Sequence, residues 1–171
     1  MVTSLYNTKT PVPIDQHGHG TDMVELIQRQ LVGFTKDDYC LVIIKYYSTD
    51  EVHPNANFYN ELNSLRYIKN ITPDVVNISG GGPTSDLHEA IVVKDILDNG
   101  TKIVASAGNE SKLLSHLFIP LIPIMRYYPA MYDPRIHVVG SLNKNGILSN
   151  FTNYGNIVNH YEIGEVKTGR M

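Results

Sequence analysis

The sequence contains a single cysteine, no tryptophan and no long uninterrupted apolar run. Cys40 has no second cysteine with which to form an internal disulfide, and its apolar neighbours predict a small buried side chain. The longest apolar stretch, HLFIPLIPIM, is interrupted twice by proline and is too short to cross a membrane. Because the first residues, MVTSLYNTKTPVP, also lack the apolar core of a signal peptide, we expect a cytoplasmic location.

An excess of positive charge is missing as well. The chain has 14 Lys and Arg residues against 17 Asp and Glu, and the basic residues are scattered, so we expect no nucleic-acid partner. Its 171 residues, 42% of them hydrophobic, are typical of a globular protein that can bury a core. We predict an N-terminal arm over residues 1–14 and one domain over residues 15–171.

Apolar patterns predict alternating helices and strands. Spacing typical of an amphipathic helix predicts helices over residues 20–34, 55–71 and 86–100, the last of them capped by Ser85 and ended by Gly100. Short continuous apolar runs predict buried strands over residues 39–47, 73–79, 101–109 and 135–142. This alternation predicts an α/β fold in three layers, with a mainly parallel sheet and helices on both faces.

In such sheets, binding and catalytic groups gather at the carboxyl ends of the strands, which here carry the segments NISGGGP and ASAGNES. The three glycines Gly80–Gly82 either form a tight turn or leave a main-chain edge to which an extended ligand can add as a strand. Asn109 either forms a turn or donates its side-chain amide to a developing negative charge.

The segment QHGHGTD, residues 16–22, concentrates histidine, glycine and a carboxylate in seven positions. His17, His19 and Asp22 give the spacing H-x-H-x-x-D, which loosely resembles a metallohydrolase ligand set and could hold zinc through nitrogen and oxygen. His17 is otherwise a solvent-exposed loop residue.

Four blocks of the sequence resemble the subtilisin-like serine proteases, or subtilases. VVNISGGGPTSDLHEAIVVKDILDNGTKIVASAGNES is similar to the family's V-I-N-M-S-L-G-G, helix and V-V-A-A-A-G-N, and YYPAMYDPRIHVVGSLNKNGILSNFTNYG is similar to its Y-P-A, V-I-A-V-G-A-V and F-S-N-Y-G. GHGTDMVELI resembles G-H-G-T-H-V-A-G-T-I, and LVIIKYY stands where the family has L-Y-A-V-K-V-L. The blocks keep the family's order over roughly residues 15–165, which predicts the subtilisin-like fold.

The resemblance implies roles for several residues. His19 matches the catalytic histidine, the general base for the serine nucleophile, and Asn109 matches the amide of the oxyanion hole. Gly80 replaces the family's usual leucine and removes one wall of the specificity pocket, while Asp22 stands where the family has a second histidine. The strand end that lines this pocket and pairs with the substrate main chain is Ser79, Gly80, Gly81 and Gly82.

Two members of the catalytic triad are missing from these 171 residues. The family's aspartate ends a buried strand of the type V-A-V-I-D-T-G well before the histidine, whereas only Asp15 lies close before His19 and matches a loop aspartate of some subtilases. The family's serine lies in G-T-S-M-A-x-P after an A-P-G turn, whereas HYEIGEVKTGRM matches that turn at Gly164 and contains no serine. We expect the aspartate strand to belong between the strands VVNIS and IVASA, so that without it and the serine helix apolar faces stay uncovered.

Three functions compete on this basis. The first is a catalytically inactive pseudo-protease that acts through protein interaction, because a base without a nucleophile gives no peptidase activity. The second is a serine endopeptidase whose missing triad residues come from another chain, and the third is the His/Asp metal site. We expect no cofactor, a protein or peptide partner with an extended segment at residues 79–82, and a homo- or hetero-oligomer in which SKLLSHLFIPLIPIMR covers core or contacts the partner.

Overall fold

The protein is described by a computed structural model that covers residues 2–4, 15–35, 37–47, 55–117, 120 and 122–165. The chain divides into two compact units, of which the first comprises residues 1–66 with 167–171 and the second residues 67–166. None of the helices in the described part is long and apolar enough to span a bilayer.

The first unit contains a short parallel strand pair and two helical segments. Strand β1 (Val2–Ser4) pairs with β2 (Ile43–Lys45), with Val2 opposite Ile43. Helix α1 (His19–Gln30) lies between them in sequence, and α2 (Ala56–Ile71) begins in the first unit and ends in the second. β1 therefore lies within the stretch predicted as an arm, whose other residues, 1 and 5–14, fall outside the described part.

The prediction that Cys40 is buried was wrong, because this side chain is exposed. The apolar run 39–47 predicted a longer strand, but only its centre adopts strand geometry. Cys40 lies between a turn at residues 37–38 and the start of that strand. The apolar run thus predicted where the strand lies but not how long it is.

The second unit is built on a four-stranded parallel sheet with the order β3-β4-β7-β8. A separate parallel pair, β5-β6, lies between β4 and β7 in sequence. Helix α3 (Leu87–Asp98) connects β3 to β4, as a crossover between parallel strands requires. The strands are β3 (Val75–Ile78), β4 (Lys102–Ser106), β5 (Leu113–Leu114), β6 (Ile124–Met125), β7 (His137–Leu142) and β8 (His160–Ile163).

The sheet and α3 both contribute buried side chains to the core of this unit. Alternate residues of the central strand β4, Ile103 and Ala105, are buried, because successive side chains of a strand point to opposite faces. Val93 and Ile96 of α3 and Val138 of β7 are buried as well. The parallel sheet and the helix that connects its strands confirm the predicted α/β class.

Two details of the prediction were wrong. Asp86, not Ser85, is the N-cap of α3, since its carboxylate accepts hydrogen bonds from the main-chain N–H groups of His88 at 2.8 Å and Glu89 at 3.1 Å. The aspartate strand was expected between VVNIS and IVASA, but β3 and β4 pair directly, from Val75 opposite Lys102 onward. Direct hydrogen bonding between these strands leaves no space for another strand between them.

The segment proposed as a cover for the core, residues 111–126, forms the pair β5-β6 in part. Leu114 is fully buried, whereas Leu117 and Ile122 are exposed. Phe118, Ile119 and Leu121 fall outside the described residues. The segment therefore contributes to the core through β5, while Leu117 and Ile122 present apolar side chains to solvent.

Candidate functional site

His19 is the first residue of α1 and is exposed. The preceding residue, Gly18, has φ 86°, a left-handed conformation that favours glycine. Asp15 holds this helix start in place: one carboxylate oxygen accepts from the N–H of Gly18 at 2.7 Å, and the other accepts from the N–H and the hydroxyl of Thr21, both at 2.8 Å. Asp15 thus acts as a cap for α1.

The hydrogen bonds at Asp15 also determine its charge. Partial desolvation raises the pKa of the Asp15 carboxyl, but the hydrogen bonds from Gly18 and Thr21, with the charge of Lys45, lower it more. The net result is a pKa below the usual value for aspartate. Asp15 is therefore ionised at neutral pH, with both oxygens engaged at the helix terminus.

The two histidines of this segment lie side by side. The ring centroids of His17 and His19 are 6.3 Å apart with perpendicular planes, and both side chains are exposed. Asp22 is half-buried in the first turn of α1. The described residues contain no group of three His, Cys, Asp or Glu side chains that could hold a metal ion, so the geometry gives no support to a site of His17, His19 and Asp22.

The glycine segment follows β3, which lies at the edge of the four-stranded sheet formed by the described residues. Ser79 and Gly80 are half-buried and Gly81 is exposed. Gly82 pairs with Tyr128 in an antiparallel bridge: its N–H donates to the Tyr128 carbonyl at 3.0 Å, and its carbonyl accepts from the Tyr128 N–H at 2.8 Å. Both main-chain groups of Gly82, one of the four residues predicted to pair with a peptide, are therefore used within the protein.

Asn109 lies in the turn after β4 and is exposed. Gly108, which precedes it, has φ 91° and accepts a hydrogen bond from the N–H of Asn153 at 3.0 Å. A side chain at Gly108 would also meet the Asn153 amide nitrogen and a Glu110 carboxylate oxygen, each 2.6 Å from an added Cβ. Glycine is therefore required at position 108 because the main chain is left-handed there and because a Cβ would collide with neighbouring side chains.

Asn153 is the residue that holds this turn, and sequence reasoning did not identify it. Its amide nitrogen donates to the carbonyl of Ala107 at 2.8 Å and to the Glu110 carboxylate at 2.5 Å. Its amide oxygen accepts from the N–H groups of Glu110 at 3.2 Å and Lys112 at 2.9 Å. The segment FTNYG contains this residue, and its local pattern does not show that the asparagine is buried against a turn more than 40 residues earlier in the sequence.

A second network joins the glycine segment to α3. The N–H of Asp86 donates to the Tyr132 hydroxyl at 2.7 Å, and this hydroxyl donates to a Glu89 carboxylate oxygen at 2.7 Å. The Tyr132 ring lies 4.6 Å from the Tyr128 ring, centroid to centroid. Burial raises the pKa of the Glu89 carboxyl despite the hydrogen bond from Tyr132, and burial likewise raises the pKa of Tyr132.

The predicted site residues are divided between the two units. His17, His19 and Asp22 belong to the first unit, and Ser79–Gly82 and Asn109 belong to the second. Within the second unit, the ends of the paired strands β3 and β4 carry the glycine segment and Asn109, respectively. These residues thus lie at the carboxyl ends of two paired parallel strands.

The fold and these strand ends define an α/β protein with a candidate site at the carboxyl edge of a parallel sheet. A family model described as the subtilase family matches residues 4–164, and the chain belongs to this family. A search of curated protein sequences gives no match.

Solved structures support the subtilisin-like fold. A lanthipeptide protease is 23% identical over 91% of this chain and 45% of its own, with a TM-score of 0.64. MycP1 without its N-terminal propeptide is 23% identical over 75% of this chain and 44% of its own, with a TM-score of 0.58. A cold-adapted subtilisin-like serine proteinase is 19% identical over 72% and 40%, with a TM-score of 0.57. The chain therefore spans less than half the length of these structures.

Proposed function

We propose that this chain is a peptide-binding member of the subtilase family that does not hydrolyse peptides by itself. The observation that supports it best is the position of β3 at the edge of the sheet, continued by Ser79–Gly81. An extended peptide that aligns with this edge would add to the sheet as a further strand.

The direction of the main-chain groups favours this mode of binding. The N–H of Lys102 donates to the carbonyl of Asp74 at 2.9 Å, so the even-numbered residues of β3 direct their groups toward β4. In a parallel ladder the odd-numbered residues then direct theirs to the outer edge. Val75 and Asn77 belong to this outward-directed set and are exposed residues, and Ser79 follows in the same phase.

The absence of hydrolysis is proposed from the chemistry of the triad. These 171 residues contain a match to the family's histidine in His19 and to its oxyanion amide in Asn109, but no G-T-S segment to supply a nucleophile. Asp15, the carboxylate before His19, is engaged with Gly18 and Thr21, which favours a capping role over one in orienting an imidazole.

Binding is tested with alanine-based fluorescent peptides, by anisotropy, on the wild-type chain. A peptide added as a strand pairs through alternate amides, so N-methylation of one alternate set should weaken binding about tenfold or more, and N-methylation of the other set should leave it nearly unchanged. Equal effects of both sets, or no binding of any extended peptide, would exclude this mode.

Catalysis is tested separately with a fluorophosphonate, which labels activated serines. We expect no labelling of the purified chain, with an intact subtilisin-like protease labelled in parallel. One alternative function is a peptidase whose missing triad residues come from another chain. Stoichiometric serine labelling of the chain alone would refute the proposed lack of hydrolysis, whereas labelling only after a partner is added would support that alternative.

The partner itself is expected to be a protein, and the chain to form a homo- or hetero-oligomer. Leu87 and Ile91 lie one turn apart on α3, with 72% and 50% of their surface exposed. An apolar pair of this kind is suited to contact with another chain. Light scattering after size exclusion measures the mass in solution, and a purely monomeric chain would contradict the homo-oligomer.

A further inference from the structure

The ring of Tyr127 lies between the two strand ends that form the candidate site. An added Cβ at Gly81, after β3, would lie 2.7 Å from Cε1 of this ring, and an added Cβ at Gly108, after β4, would lie 2.7 Å from Cε2. Cε1 and Cε2 are on opposite edges of a tyrosine ring. The two glycine main chains therefore enclose the ring from both sides, and only 7% of Tyr127 is exposed.

Hydrogen bonds hold the main chain that carries this ring. The N–H of Tyr127 donates to the Met131 sulfur at 3.2 Å, and the N–H of Met131 donates to the Tyr127 carbonyl at 3.0 Å. The next residue, Tyr128, is paired with Gly82 through two main-chain hydrogen bonds. Tyr127 is thus tied to the glycine segment on one side and contacts the Asn109 turn at Gly108 on the other.

We propose that Tyr127 fills, from within the protein, the space that a peptide side chain would enter between these strand ends, and so determines specificity. The proposal rests on the proposed peptide binding at Ser79–Gly81. If so, the ring excludes large peptide side chains from this space, and a peptide that pairs with this edge must place glycine or alanine opposite the Tyr127 ring.

Removal of the ring would open a pocket of matching shape. In Tyr127→Ala, the vacated space is enclosed by Gly81 and Gly108, neither of which has a side chain with which to fill it. Enclosed cavities of this kind bind small apolar molecules that match their shape. The molecule that reproduces a tyrosine side chain is p-cresol, which makes it the natural probe.

The experiment measures the melting temperature of Tyr127→Ala with increasing p-cresol. We expect a saturable rise of about 4 °C at ten times the dissociation constant of the probe. Tyr127→Phe keeps the ring and should show no such rise. Tyr59→Ala removes an exposed tyrosine without opening an enclosed space, and it should behave like the wild type. No stabilisation of a folded Tyr127→Ala by p-cresol would overturn the proposal.

Peptides with glycine, alanine or phenylalanine at one position then separate this proposal from the proposed function. The wild type should bind the glycine peptide about tenfold tighter than the phenylalanine peptide, and Tyr127→Ala should lose or reverse this preference. If no peptide binds but p-cresol stabilises Tyr127→Ala, the proposed function fails while the filled pocket stands. Tighter binding of the phenylalanine peptide by the wild type would overturn the specificity role.

A measurement on the wild type covers the case in which Tyr127→Ala does not fold. Proton NOEs from the Tyr127 ring should reach the Hα atoms of both Gly81 and Gly108, because the ring is in contact with both residues. NOEs to only one of the two glycines, or to neither, would show that the ring does not fill the space between the strand ends.

Discussion

The amide nitrogen of Asn153 donates a hydrogen bond to the main-chain carbonyl of Ala107, 46 residues earlier in the sequence, over 2.8 Å. Asn153 is completely buried, and its oxygen accepts from two further N–H groups of the same turn, those of Glu110 and Lys112. The side chain of Asn153 therefore supplies hydrogen bonds to three main-chain groups of the turn after β4, which have no partner in a helix or a strand. The position of Asn109, at the centre of this turn, depends on Asn153.

Replacement of this amide should destabilise the protein. Asn153→Ala leaves the buried carbonyl and N–H groups of the turn without partners, and we expect a loss of about 3 kcal/mol in the free energy of unfolding, measured with urea. Asn70→Ala, at an exposed position on α2, is the control and should change stability by less than about 0.5 kcal/mol. Similar stabilities of the two variants would contradict the role assigned to Asn153.

The sequence predicted the order of the main helices and strands because apolar periodicity reports which side chains are buried. The sequence did not predict β8, because the residues of this edge strand are mostly exposed and show only weak alternation between buried and exposed side chains. It missed β5 and β6, whose pairing is decided by contacts between distant residues rather than by local pattern. It also assigned the cap of α3 to Ser85 when the adjacent Asp86 makes those hydrogen bonds, since either residue type favours this position.

Asp15 should contribute to stability through α1. Asp15→Ala removes the acceptor for three hydrogen bonds at the helix start, and we expect a loss of about 1 kcal/mol near neutral pH, measured by urea unfolding. Since folding lowers the pKa of Asp15, the stability it adds is fully present above the unfolded pKa and is lost as the pH falls through the folded pKa. The difference between wild type and variant should therefore shrink below pH ~3.8. A difference that is independent of pH would argue against the ionised carboxylate as the cap.

Glu89 should have the opposite dependence on pH. Burial raises the pKa of this carboxyl, so the folded protein binds a proton more readily than the unfolded chain, and Glu89 reduces stability as the pH rises through its folded pKa. Glu89→Gln keeps an oxygen that can accept from the Tyr132 hydroxyl but has no charge to desolvate. We expect Glu89→Gln to be more stable than the wild type at pH ~7.5 and nearly equal at pH ~4, by urea unfolding at each pH. A variant that is less stable at both values would show that the charged form is the favoured one.

The candidate site was predictable only in part. The glycine segment and Asn109 were identified because strand ends in a parallel sheet share one edge, a rule that needs no coordinates. Tyr127 was not identified, because nothing in YYPAMYD indicates that its first tyrosine contacts two glycines about 20 to 45 residues before it in sequence. The main-chain hydrogen bonds between Gly82 and Tyr128 could not be predicted either, since a run of three glycines does not show which of them pairs with another segment.

His19 and Asn109 should be dispensable for peptide binding. Both side chains are exposed, and the proposed contact is made by the main chain of Ser79–Gly81. We expect His19→Ala and Asn109→Ala to bind extended peptides within about twofold of the wild type, with stability changed by less than about 0.5 kcal/mol. The measurement is peptide anisotropy together with urea unfolding. Loss of binding in either folded variant would point instead to a role for that side chain in contacting the peptide.

The glycine segment should tolerate a methyl group at one position and not at its neighbour. A Cβ at Gly81 would collide with the main-chain carbonyl of Tyr128, which accepts a hydrogen bond from Gly82, and would lie 2.7 Å from the buried Tyr127 ring. A Cβ at Gly82 has no atom within 4 Å. We therefore expect Gly81→Ala to lower the free energy of unfolding by about 2 kcal/mol or more. Gly82→Ala, the matched control, should change it by less than about 0.5 kcal/mol, with urea unfolding as the measurement for both. Equal stability of the two variants would mean that the Gly81 main chain does not pack against the Tyr127 ring. It would also contradict the proposal that this ring fills the space between the two strand ends.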